Sequence, residues 1–150
     1  MNYFSKKQSI RLDEASFQIK KSSIPEAGNG LFAKVAIAKG EHIGYYEGKV
    51  LNDEEVDLDA YCQSLYLLWI CKDHWIFGEG EYGNYTQFIN HSNRPNVELV
   101  TSTRWKTARF RTLRPIQANE ELFFDYGDYY WEQVGYAPSE FFCETQPLLL

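Results

Sequence analysis

Glycines, amides and charges cut this chain into short apolar pieces, and that punctuation excludes most architectures. The longest uninterrupted apolar run is LYLLWIC, residues 65–71, far short of the ~20 residues that a spanning helix needs. Flanked by polar residues, it reads as a strand buried on both faces. Elsewhere short alternating segments between turn residues argue for strands. Phe17 and Ile19 share one face of a first strand, and PEAGNGLFAK leads into a second. KVAIAKGEHIGYYEGKVL gives two strands around a turn at Lys39–Gly40. NVELVTS and RWKTARFRTL form a hairpin pair, and IQANEELFFDYG is a turn followed by a strand. Helical signals are few. Asn52 with Glu55 three residues on reads as a capping box opening a helix from Asp53 to Gln63. TQFINHS reads as a short helix or turn, and the tail from residue 127 as partly helical. The expectation is a mostly-β fold with few short helices.

At 150 residues the chain reads as one domain, large enough to bury roughly 68–70% of its unfolded surface without help from a metal or disulfide. The formal charge of −6 argues against nucleic-acid binding, which asks for a basic stripe, and suits a basic partner such as a Lys/Arg-rich peptide. Arg104, Lys106, Arg109, Arg111 and Arg114 cluster on the hairpin and read as the solvated face of exposed strands. Cys62, Cys71 and Cys143 have neither CxxC spacing nor a paired layout, so they read as free thiols in a reducing compartment. The N-terminus MNYFSKKQSI has no apolar signal region. The reading is a soluble intracellular protein without a membrane partner. Neither GxGxxG nor a P-loop lysine motif is present.

Three separated segments look unlike plain scaffold. AGNGLFA (27–33) brackets Asn29 with glycines that allow close backbone approach and positive φ; a β-turn is the simpler reading of it alone. GNYTQFINHSNRPN (83–96) is dense in donors and acceptors around Phe88 and Ile89, which ask for burial. It too could be a polar loop held by its own Asx turns. EELFFDYGDYYW (120–131) carries Leu122 and Phe124 as a core strand would, but a core does not explain Tyr126, Tyr129, Tyr130 and Trp131 around Gly127. Aromatics make up 17% of the chain, and eleven of them are Tyr, more hydroxyl-bearing rings than packing alone requires. His91 has no partner set for metal binding or base catalysis, because His42 and His74 lie in other segments.

Taken in order, these segments resemble the SET-domain protein lysine methyltransferases. GNGLFA matches the family's GxG-Leu-Phe/Tyr-Ala turn, YYEGKVL (45–51) its Tyr-x-Gly strand, GNYTQFINHSNRPN its NHS loop, and EELFFDYGD its Glu-Leu-x-Phe/Tyr-Asp-Tyr-Gly strand. The match spans about residues 17–131. Residues 1–16 are polar and read as a flexible lead-in; the resemblance implies a SET domain over 17–131 and a 132–150 aromatic tail completing the lysine channel. It further implies small β-sheets with a C-terminal pseudoknot, bringing residues 28–31, 90–91 and 126 together.

The resemblance implies S-adenosylmethionine as cofactor, no metal, and direct in-line methyl transfer to a deprotonated lysine of a histone or other basic protein. Tyr126 would be the catalytic tyrosine. Tyr46, Phe124 and Tyr129 would line the lysine channel. Phe124 stands at the family's Phe/Tyr switch, where Phe leaves room for di- or trimethylation. Gly28, Asn29, Gly30, Leu31, Asn90, His91, Tyr126 and Trp131 would hold the cofactor, with His91 acting through its backbone and Trp131 stacking on adenine. Nuclear or chromatin residence would follow in a eukaryotic, viral or delivered protein, and cytoplasm otherwise. Alternatives are a non-catalytic SET module that binds protein, and a methyltransferase of a translation component.

The chain departs from the family at Asn93, where a zinc-binding cysteine is common, and at Gln87, where Arg is usual. The segment between Tyr61 and Gly83 is short. Either the tail aromatics close the lysine channel alone, or a second copy of the chain helps as a homodimer.

Overall fold

The computed structural model describes residues 12–134. The amino-terminal hairpin pairs β1 (Phe17–Lys21) antiparallel with β2 (Asn29–Ala33), in register from Phe17 opposite Ala33 to Lys21 opposite Asn29. β1 is buried only at Phe17, and Ile19 stays exposed. β2 is buried after Asn29, because its other edge is covered: the Leu122 N–H donates to the Leu31 carbonyl (2.8 Å) and the Ala33 N–H to the Glu120 carbonyl (2.9 Å).

Two three-stranded sheets follow. One orders β3 (His42–Tyr45), β9 (Thr107–Thr112) and β8 (Val97–Ser102); the other orders β4 (Lys49–Leu51), β6 (His74–Phe77) and β5 (Leu67–Cys71). The expected 97–112 hairpin is the β8–β9 pair, with Glu98 opposite Arg111 and ion-paired to it. Arg114 pairs with Glu120 and Arg104 lies over the exposed Trp105 ring, as a solvated face would have it. The main core gathers Phe17, Leu31, Ile43, Ile89, Val97, Phe110, Ile116 and Leu122. Enclosing a ring as fully as Phe110 contributes about 1.5–3 kcal/mol. A second cluster, Ile70, Ile76 and Ala108, joins the two larger sheets.

Four local expectations change. LYLLWIC contributes β5 from Leu67 on, which among the described residues pairs only with β6 at the sheet edge, and Leu65 and Trp69 are each 53% exposed. An unbroken apolar run does not reveal how many neighbours a strand will have. Only one of the strands flanking Lys39–Gly40 forms, namely β3; the other is a single bridge between Ile37 and Ile116. The capping box at Asn52 is made, its Oδ1 accepting from the N–H groups of Glu54 and Glu55 while Glu55 accepts from the Asn52 N–H. The helix it opens is only the 3₁₀ turn Glu55–Asp57, ended by extended Leu58. Helices this short persist by packing an apolar face, and Val56 is the turn's only buried residue. The lead-in is ordered at its end, where Asp13 caps the 3₁₀ turn Glu14–Ser16 and Leu12 packs against the core. Residues 1–11 and 135–150, most of the expected tail among them, lie outside the described residues.

Candidate active site

The site is assembled by a pairing between distant segments. β7 (Asn90–His91) runs parallel to β10 (Phe123–Phe124), with Asn90 opposite Phe123. Residues 120–124 thus lie between β2 and β7, the heart of the expected pseudoknot. Asn96, 1% exposed, secures it from the loop side. Its Nδ2 donates to the Glu121 carbonyl (2.7 Å), and its Oδ1 accepts from the Phe123 N–H (2.8 Å). Buried amides need partners of this kind, and here they join two strands.

Three hydrogen bonds then bring the expected site residues together. Asn90 Nδ2 donates to the Asn29 carbonyl (2.9 Å), joining the NHS segment to the Gly28–Leu31 turn. Tyr126 Oη donates to the Ile89 carbonyl (3.0 Å). The Tyr126 N–H donates to His91 Nδ1 (3.0 Å). Gly28 takes φ +73°, and a Cβ on Gly30 would stand 2.1 Å from Glu121 Oε1. The two glycines serve different needs, backbone conformation at one and close approach at the other.

Aromatic rings build the wall beside this cradle. The Tyr126 ring lies 4.6 Å from Phe124, 4.7 Å from Tyr130 and 5.2 Å from His91, centroid to centroid. Phe124 packs edge-on against Phe110 (4.9 Å), and Phe110 reaches Tyr46 (6.4 Å). Tyr46 Oη donates to the Tyr66 carbonyl (2.7 Å). Burial pushes the pKa of Tyr126 well above its usual value, with nearby Tyr130, Tyr66 and Tyr46 adding to the shift. Burial raises Tyr46 as well, helped by Tyr66, Tyr130 and Glu79. Both phenols are therefore neutral donors at physiological pH.

Trp131, in α1 (Asp128–Val134), is buried with its ring 4.8 Å from His91 and stacked 6.0 Å from Tyr126. It shores up the wall. Tyr129 lies in the same helix, its side chain outside the described residues.

Some contributors were not singled out from sequence. The His91 side chain, 2% exposed, holds the Tyr126 backbone, so this residue acts through its ring and not through its backbone alone. Tyr66 was hidden inside an apolar run, where its hydroxyl was the one discordant group. Glu121, 5% exposed, accepts from Ser22 Oγ (2.6 Å), the Ser23 N–H (2.9 Å) and Ser23 Oγ (2.5 Å). Its phase in the strand, two residues before buried Phe123, was the available signal. Gln87, at the usual Arg position, instead closes the 80–87 turn through the backbone of Gly80 and Asn84.

Among the described residues no three His, Cys, Asp or Glu side chains converge on one point. Cys62 is an exposed free thiol and Cys71 a half-buried one; Cys143 lies outside the described residues. No described helix is long and apolar enough to cross a membrane.

Small sheets joined by the parallel β7–β10 pair, with a Gly-x-Gly cradle on one side and a tyrosine-rich wall on the other, define a mostly-β class with a polar–aromatic site. The sequence profile of the SET domain matches residues 28–127, and the chain belongs to the SET-domain family. Similar curated proteins include the histone-lysine N-methyltransferase EZH2 of Chaetomium thermophilum, 31% identical over 72% of this chain and 8% of that protein. The mouse histone-lysine N-methyltransferase NSD3 is 36% identical over 66% of this chain and 7% of its own length. Set2 of Drosophila melanogaster, also named a histone-lysine N-methyltransferase, is 32% identical over 79% and 5%. Among solved structures, a humanized mutant of the Chaetomium thermophilum Polycomb Repressive Complex 2 bound to an inhibitor superposes with a TM-score of 0.65. It is 28% identical over 75% of this chain and 15% of that one. The chain thus spans a small fraction of the length of these relatives.

Proposed function

We propose that this protein is an S-adenosylmethionine-dependent protein-lysine N-methyltransferase acting on a histone or other basic protein segment. The observation that carries the reading is the position of Tyr126. Its hydroxyl is held at the Ile89 carbonyl, one residue from the Asn90–Asn29 bond, while its ring belongs to the aromatic wall with Phe124 and Tyr130. One side chain therefore touches both the polar cradle and the aromatic surface. The relatives named as histone-lysine methyltransferases support the same reading.

The residues suit the cofactor. The Gly28–Leu31 backbone and the Asn90 amide offer carbonyls and amide groups fitted to the amino-acid end of S-adenosylmethionine, and Asn29 is exposed at that edge. When bound, the cofactor supplies an electrophilic methyl on a sulfonium. The chain's own work is positioning and desolvation. Tyr46, Phe124 and Tyr126 form an apolar, water-poor wall that disfavours a charged ammonium and so lowers the pKa of an entering lysine from ~10.4. Their ring faces tolerate residual positive charge, and the neutral phenols orient the amine. Holding amine and methyl in line supplies on the order of 7–11 kcal/mol of barrier reduction. The substrate lysine is the nucleophile and the lost proton leaves to water.

The test is radiolabelled methyl transfer to core histones and to a cell lysate, with Tyr126→Phe as control. Transfer is expected from the wild type, and a loss on the order of 10²-fold in the variant. Absence of S-adenosylmethionine binding by calorimetry would sink the proposal, and full activity in Tyr126→Phe would remove the role given to that hydroxyl.

A further inference from the structure

We infer that the buried carboxylate of Glu121 tunes the site for a cationic cofactor, favouring the sulfonium of S-adenosylmethionine over the neutral thioether of S-adenosylhomocysteine. The inference rests on the cofactor reading above and adds to it a charge on the inward side of the Gly-x-Gly turn.

Three observations carry it. First, Glu121 is 5% exposed, and its three hydrogen-bond donors, from Ser22 and Ser23, are all neutral. Donors of this kind stabilise a carboxylate without cancelling its charge. Second, the ion pairs among the described residues are Arg111–Glu98 and Arg114–Glu120, while Asp125 lies beside the neutral His91 ring. None reaches Glu121; the neighbouring Glu120 takes the arginine, and neutral Gln87 is occupied with the 80–87 turn. A buried charge is ordinarily paired, so an unpaired one is a source of field at the turn it touches.

Third, the charge is pressed against the cradle itself. Oε1 stands 2.1 Å from where a Gly30 Cβ would be, with the Ser22 Cβ at 3.3 Å. Only glycine at this position lets the carboxylate reach the backbone of the turn. That backbone is also joined to Asn90 through the Asn29 carbonyl. The two ligands are nearly isosteric and differ at the sulfur by one methyl and one positive charge. A negative charge behind the cradle therefore acts on one and not the other, and being buried it is little screened by salt.

The experiment compares dissociation constants for S-adenosylmethionine and S-adenosylhomocysteine by calorimetry in the full chain. In Glu121→Gln, which keeps the shape and removes the charge, the preference for S-adenosylmethionine relative to S-adenosylhomocysteine is expected to fall roughly three- to tenfold. In Glu121→Asp, which keeps the charge, it is expected to stay within about twofold of wild type, even if both affinities weaken. A purely structural role predicts the reverse order of damage. The wild-type ratio is expected to hold in roughly 1 M NaCl. A folded Glu121→Gln that binds both ligands with an unchanged ratio overturns the inference and leaves the cofactor reading standing. Should that variant not fold, the salt comparison decides: a wild-type ratio that moves with salt assigns the discrimination to exposed charges and overturns the inference. Wild-type protein that binds neither ligand overturns the cofactor reading and this inference with it.

Discussion

The backbone N–H of Tyr126 donates to Nδ1 of His91 across 3.0 Å, so the ring of one motif fixes the main chain of another 35 residues away. An acceptor at Nδ1 requires a neutral imidazole with its proton on Nε2. Burial lowers the His91 pKa from its ordinary 6.5, and the Asp125 carboxylate, 3.7 Å away and largely exposed, opposes this more weakly. A group whose folded pKa is depressed contributes stability that is complete above its unfolded pKa and is lost as pH falls through the folded one. Thermal melts should therefore be flat between about pH 7 and 9 and decline below 6.5. His42, depressed by burial and by Arg109, acts with the same sign. His91→Gln, which does not titrate, should remove part of that decline. Superimposable profiles for the two proteins would contradict the role given to His91.

The aromatic wall makes a prediction about product. Phe124 packs between Phe110 and Tyr126, and in the proposed lysine channel it would offer no hydroxyl to hold an ordered water beside a substrate amine. Phe124→Tyr should shift products toward fewer methyl groups, with total turnover falling less than tenfold or so. Mass spectrometry of a methylated substrate reads this out, and an unaltered distribution of methylation states would argue against Phe124 as the switch.

The two glycines of the cradle should respond differently to substitution. Gly28 has φ +73° and open space where a Cβ would be, so Gly28→Ala should cost about 1–2 kcal/mol from the left-handed backbone. Gly28→Asn should recover much of it, since Asn visits that region more readily. Gly30→Ala drives a methyl into Glu121 and should cost at least about 1–3 kcal/mol, with Gly30→Asn worse still. Urea denaturation of the four variants tests the contrast. Equal tolerance of Asn at both positions would mean that Glu121 is not tightly held against Gly30.

Asn96 should be the most sensitive amide. Asn96→Ala strands the Phe123 N–H and the Glu121 carbonyl in a buried place, at about 1–3 kcal/mol each. Asn96→Asp keeps the shape but sets an oxygen against the Glu121 carbonyl, so it should rescue little. Melting temperatures within about 2 °C of wild type for Asn96→Ala would show that the β7–β10 pairing does not depend on this side chain.

Much of this protein is determined locally and is therefore legible in its sequence. The alternation at 97–112 fixes a hairpin because side-chain period and turn chemistry act over a few residues. The capping box at Asn52 forms for the same reason, and the order of the four motifs places the chain among SET domains. Tertiary structure decided what depends on neighbours distant in sequence. Asn52 could open a helix, but with Val56 alone buried nothing carried it past one 3₁₀ turn. LYLLWIC could be a central strand, but β6 has β4 on its other side, which leaves β5 at the edge and Trp69 in solvent. His91, read as a carrier of backbone groups, became a side-chain anchor only when β7 lay beside β10 and excluded water from the ring. Glu121 acquired its place against Gly30 when residues 120–122 paired with β2. Burial and partnership are properties of the assembled chain, because they arise from contacts that no local window of sequence contains.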